Sequence, residues 1–412
     1  MYEIKPEVFQ LSNGIRVVYL HAAAQVAHLG ITILAGSRYE NPDEEGLAHF
    51  LEHCIFKGTH KRKAFHVLSR LDSVGGELNA YTSKEEICIY ASFTKNHIKR
   101  ASELLADITL NSSFPLKEIQ KEKEIILDEI NSYLDSPSEK IFDDFEANLF
   151  KGHVLGNNIL GTKESVKSFG RKHLLNYVSR FFSADNMVIS FVGDIPRQQL
   201  EKILESDFND CQQSKVEVIQ NDFVSAPPFK IKTQEANFQV NSLIGGLAPS
   251  YIDDSRRSMT LLTNILGGPA LNSRLNLSIR EKYGYSYNVE ASYSTFFDTG
   301  YWAVYFGTDT KYLKKSKELV YKELKLLRDK KLGTLQLNAS KEQLKGHLAL
   351  GLDSNSGLML GLGKSLLMFN QIDTIQEIYE SIDKLTASEL LETANQYFDE
   401  SLISELIFEI EK

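Results

Sequence analysis

The chain opens on β-type patterning. Ile15–Leu20 follows the turn pair Asn13-Gly14, and a second apolar run extends from Val26 to Ala35 and ends at Gly36. A polar turn from Asn41 to Gly46 then leads into an apolar-periodic segment from Leu47 to about Phe56, which predicts a helix. Further on, Glu86–Phe93 alternates as a strand does, Ile98–Leu110 and Lys117–Tyr133 have helical spacing, and Met187–Val192 is another strand, closed by Gly193-Asp194. Strands and helices mix without the regular alternation that builds a parallel sheet. The pattern therefore favours an α+β fold over a doubly wound one.

Between about Asn209 and Lys230 the chain turns polar and carries Ala226-Pro227-Pro228, which sets the expected organisation: a first domain over 1–210, a linker over 211–230 and a second domain over 231–412. The second half echoes the first. Residues 238–247 resemble 25–34, and the Tyr301–Phe306 strand with its Lys/Leu-rich helix through Leu327 resembles Ile87–Phe93 and the helix through Leu110. Self-similarity of this kind indicates duplication of one α+β domain, each copy a mainly antiparallel sheet packed with helices.

Composition narrows the functional classes. With 412 residues, 42% hydrophobic and 25% charged, the chain reads as an ordinary folded protein large enough for two domains. A formal net charge of -9 works against nucleic-acid binding, which needs a basic surface. The start, Met1 to Pro6, lacks the basic-then-apolar pattern of a signal peptide, and no apolar stretch is long enough to span a bilayer, so the expected location is the cytoplasm, away from the membrane. Cys54, Cys88 and Cys211 share no CxxC spacing and suggest neither a disulfide framework nor a thiolate zinc site. Cys54 follows His53 directly, but a neighbour one step along a helix points about 100° away. It is assigned to core packing.

Chemistry concentrates in His49-Phe50-Leu51-Glu52-His53. On a helix, His49 and His53 lie one above the other and Glu52 falls between them in angle, so two neutral imidazoles and a carboxylate share one face. This donor set suits zinc, with Glu52 as a general base, and requires at least one further protein ligand. The helix over 117–133 offers Glu118, Glu122, Glu124, Asp128 and Glu129, of which Glu122 and Glu129 share a face. Residue chemistry alone does not choose among them.

The His49–His53 run, with Gly46-Leu47-Ala48 before it and Phe56-Lys57-Gly58-Thr59 after it, resembles the pitrilysin, insulin-degrading enzyme and mitochondrial processing peptidase family, in particular its branch of subunits near this length. Glu129 stands at that family's interval after His53, so the resemblance implies it as the third ligand and Glu122 as a supporting glutamate. Gly75–Thr82 looks like the family's edge strand, which implies that Asn79 and Ala80 bind an extended peptide by strand addition. Leu155-Gly156, Ile159–Thr162, Asn186-Met187 and Val192–Asp194 are further landmarks, and Val154 departs from a frequent proline. In the second half, Leu266–Pro269, Ser273–Leu275 and Arg280–Tyr287 are similar to the segment carrying a functional arginine and tyrosine, which implies Arg280 and Tyr287. The plain alternative is packing, because Tyr283, Tyr285 and Tyr287 alternate like one face of a strand.

The resemblance implies a zinc-dependent endopeptidase with one Zn2+ per chain, acting on peptides or unfolded segments within a dimer chamber. It implies a half-clamshell subunit and a homodimer in which Arg280 and Tyr287 complete the partner's site. Two other readings share the fold: a non-catalytic structural subunit, and a specific processing protease for targeting peptides. Gly361–Ser365 is set aside as a phosphate loop, since Leu358 stands where that loop needs glycine and the surroundings look helical. The histidines at 21, 28, 60, 66, 97, 153, 173 and 347 have no partner at ligand spacing.

Overall fold

The expected strands form because their apolar residues can be buried on both faces of a sheet. The computed structural model describes residues 5–214, 223 and 225–411. Met1–Ile4, and residues 215–222 and 224 of the expected linker, lie outside the described residues. The first sheet contains β1 (Glu7–Gln10), β2 (Arg16–His21), β3 (Val26–Ile33), β4 (Glu77–Thr82), β5 (Ile87–Thr94) and β6 (Met187–Gly193). Its order is β1-β2-β6-β3-β5-β4. The second contains β7 (Lys230–Glu235), β8 (Val240–Ala248), β9 (Val289–Thr295), β10 (Gly300–Thr308) and β11 (Ser404–Ile410), in the order β7-β11-β8-β10-β9.

With β1 set aside, the two orders correspond strand for strand. Each has a single parallel pair in the same place, β2 with β6 and β7 with β11, and antiparallel neighbours elsewhere. β8 occupies the place of β3, and β10 that of β5. The architecture is α+β, and the echo in the sequence corresponds to a repeated topology.

The helices that position the site and close the cores are α1 (Leu47–Ile55), α2 (Ile98–Leu110), α3 (Leu116–Leu134), α4 (Pro137–Leu149), α5 (Arg256–Gly267), α6 (Leu313–Asp329) and α7 (Asn355–Phe369). One face of the first sheet packs Leu29, Ile31 and Ile89 with Phe50 of α1 and Leu104 and Ile108 of α2. The other face carries Val18, Leu20, Val188 and Val192, and is covered by Leu358, Met359 and Leu366 of α7. Glycine makes that approach possible. A Cβ on Gly30 would come within 2.4 Å of Met359 Sδ, and one on Gly363 within 2.8 Å of Thr32 Oγ1. The Gly361–Ser365 run is thus the interior of a helix pressed on a sheet.

Chain order and contact therefore part company. One unit is formed by the chain up to Ile130, a stretch beginning at Asn157, and Ala349–Ile375. The other takes Asn131–Gly156, a stretch ending at Leu348, and the chain from Gln376. In the second unit α4 packs on β8 and β11, as α7 does on β3 and β6 in the first. No helix among the described residues is long and apolar enough to cross a membrane.

Candidate metal centre

α1 is built to separate two kinds of side chain. Leu47, Phe50, Leu51, Cys54 and Ile55 are buried in the core of the first unit, which turns the arc bearing His49, Glu52 and His53 the other way. On α3, Ile119, Glu122, Ile126 and Ile130 are buried, and Glu129 lies beside them. The two helices bring their polar borders together. His53 Nε2 lies 3.5 Å and His49 Nε2 3.8 Å from the same oxygen, Glu129 Oε2. Of the five carboxylates on α3, Glu129 is the one with an oxygen near both imidazoles. Glu124 and Asp128 are exposed, and Glu118 pairs with Lys121 at 3.1 Å.

One ligand atom from each of His49, His53 and Glu129 lies within 4.8 Å of the others, and among the described residues this is the cluster with metal-ligand character. Tetrahedral zinc with bonds of about 2.0–2.1 Å sets neighbouring donors about 3.3–3.5 Å apart, so a small closing movement suffices. His49 is also in the protonation state a metal needs. Burial, with His53 adding to it, lowers the His49 imidazole to about 4, leaving a neutral ring at neutral pH.

The surroundings orient these groups. His53 Nδ1 donates to Glu122 Oε2 at 3.3 Å, which directs Nε2 towards Glu129. Lys57 Nζ holds the other oxygen, Oε1, at 2.9 Å. Burial pushes the Glu122 carboxyl up, but the bonds from His53 and Lys57 prevail and hold it below its ordinary value. Replacing Glu122 with Gln is expected to weaken zinc affinity about 10–100-fold, read by competition with a chromophoric chelator. Unchanged affinity would remove Glu122 from this role.

Glu52 stands apart from the three-donor cluster. Burial raises its carboxyl above the ordinary value. The amide and hydroxyl of Thr82, at the end of β4, pull the other way. Among the described residues β4 is an edge strand, paired with β5 alone. Asn79 and Ala80 lie on it, with Asn79 Oδ1 accepting the Ala80 N–H at 2.9 Å. Cys54 is buried and its thiol pushed up by that burial, so packing is its role.

Arg280 and Tyr287 belong to the second unit. Arg280 sits on a wide turn over Asn276–Glu281, where the Lys282 N–H reaches back to the Leu277 carbonyl at 3.1 Å. The tyrosines divide: Tyr283 stacks on Tyr285 at 5.1 Å, Tyr285 on Tyr312 at 4.6 Å, while Tyr287 is 88% exposed. Packing accounts for the first two and leaves Tyr287 available. α5, which lies against β9 as α1 does against β4, has no histidine or carboxylate. Glu40, Lys57 and Thr82 were not singled out in the sequence. Lys57 and Thr82 lie within segments that carry the family resemblance, while nothing in the sequence points to Glu40.

Residues 16–163 match the model of the insulinase family, peptidase family M16, and residues 168–344 match the peptidase M16 inactive domain. An uncharacterized zinc protease of Rickettsia bellii is 32% identical, over 97% of each chain. The probable mitochondrial-processing peptidase subunit beta of Schizosaccharomyces pombe is 30% identical, over 95% of this chain and 88% of its own. A protease from Helicobacter pylori shares the fold with a TM-score of 0.91 at 20% identity, over 99% of this chain and 100% of that one.

Proposed function

Because the chain belongs to the insulinase family of peptidases, M16, we propose that it is a zinc-dependent endopeptidase acting on peptides or unfolded segments. The observation that carries this reading is the convergence of His49, His53 and Glu129 on α1 and α3, with Glu52 on the same helix face and tied to an edge strand. Zinc, when held by those three residues, supplies the positive charge that acidifies a water and polarises a scissile carbonyl. Glu52 takes the water's proton on its carboxylate and later delivers it to the leaving amine. Glu122 keeps the proton of His53 on Nδ1. The free edge of β4, at Asn79 and Ala80, pairs with the backbone of an extended substrate, so selection by sequence is loose.

Arg280 clamps a substrate carbonyl or carboxylate, and Tyr287 donates a hydrogen bond to the developing oxyanion. Both act across a homodimer, each subunit completing its partner's site inside a shared chamber. The exposure of Tyr287 is consistent with this, since its phenol is open to a partner surface. The cytoplasm is the proposed location. Similarity to a processing-peptidase beta subunit favours one narrower variant, cleavage of targeting peptides.

Metal analysis and a peptide-library digest on the purified protein test the reading together. One zinc ion per chain is expected, with cleavage abolished by a chelator and restored by zinc. Bound zinc with no cleavage of any library peptide would favour the structural-subunit reading, and absence of zinc would sink the proposal.

A further inference from the structure

α1 begins under unusual conditions. The backbone N–H groups of a helix's first turn have no partner within the helix, and here Leu47 and Ala48 are fully buried, so water does not serve them. Gly46, at φ 91°, has no side chain to act as a cap. A Cβ there would also meet Gly161 Cα at 2.6 Å, so this end of the helix lies close against the Leu160-Gly161 backbone. The acceptors come from Glu40, a residue outside the helix and only 6% exposed. Its Oε2 accepts the Gly46 N–H at 3.0 Å and its Oε1 the Ala48 N–H at 2.7 Å, while the Leu47 N–H goes to the Glu44 carbonyl at 2.8 Å.

His49 is the next residue. It therefore sits in the turn that this carboxyl holds, whereas His53 sits a turn further on and has its own support from Glu122. We propose that Glu40 is a positioning residue for the metal centre, its carboxyl bridging two amides of α1 and so fixing the angle at which His49 is presented. Burial pushes the Glu40 carboxyl up to about 8 against the pull of the two amides. Both oxygens face N–H donors, so the bridge is complete when Glu40 is a carboxylate, and the two amides favour that form against burial.

The inference rests on His49, His53 and Glu129 as the zinc site, and the test separates the two. Zinc dissociation constants of the full chain are measured by chelator competition for wild type, Glu40→Gln and Glu40→Asp. The thermal midpoint of the zinc-free proteins and kcat and KM on a peptide the wild type cleaves are measured alongside. Gln places an N–H2 against an N–H and loses one of the two bonds. It is expected to weaken zinc about 10–100-fold and to lower kcat at saturating zinc at least about tenfold, with KM within about twofold. Asp, with shorter reach, should fall between Gln and wild type, and carries the test if Gln does not fold.

A lowered thermal midpoint with wild-type zinc affinity and kcat in the folded variants would show a purely structural role and overturn the inference. If the wild type itself binds no zinc, the reading of the metal centre fails first.

Discussion

Replacing Glu52 with Gln is expected to lower kcat by about 10²–10⁴-fold while zinc stays bound at one ion per chain. Glu52 is not one of the three clustered donors, so the metal loses no ligand. The substitution keeps the volume and an acceptor for the Thr82 amide, and removes only the basic oxygen. Burial raises that carboxyl, while Thr82 and His53 pull it down. The measurement is turnover of a library-selected peptide with parallel metal analysis. Undiminished turnover in a contaminant-free preparation would assign the base elsewhere, and simultaneous loss of zinc would make Glu52 a ligand.

Mixing two inactive proteins should restore activity if the site is shared between subunits. Glu52→Gln and Tyr287→Phe are each expected to be impaired, the second by about 10²–10³-fold through loss of an oxyanion donor. In the mixed dimer, the subunit with intact Glu52 faces the intact Tyr287 of the other. Random assortment places half the protein in mixed dimers with one competent site each, so about one quarter of wild-type turnover should return. No recovery after exchange, with mixed dimers shown to form, would confine Tyr287 to its own chain.

The sequence made α1 legible because the chemistry there is local: a helical period fixes His49, Glu52 and His53 on one arc without knowledge of the rest. Glu129 was legible only through family resemblance. Five carboxylates on α3 are equivalent until the position of α1 decides which side of the helix matters, and that is a tertiary fact. Glu40 and Thr82 reach the site from separate segments, so no spacing along the chain marks them. The duplication could be read from β3 and β8, whose apolar runs are long. α7 could be read as a helix, but the sheet it covers depends on Gly363 meeting Thr32 and on Met359 seating over Gly30, contacts between residues far apart in the chain.

That placement of α7 has a consequence for how the protein is made. A ribosome delivers both histidines and the whole first sheet long before it delivers Leu358, Met359 and Leu366. Until then Val18, Leu20, Val188 and Val192 form a bare apolar face, which cannot settle into its native packing and is a natural ligand for a chaperone. The histidine-bearing unit is therefore completed late in synthesis. An interrupted nascent chain would carry His49, Glu52 and His53 on a sheet that still lacks its cover.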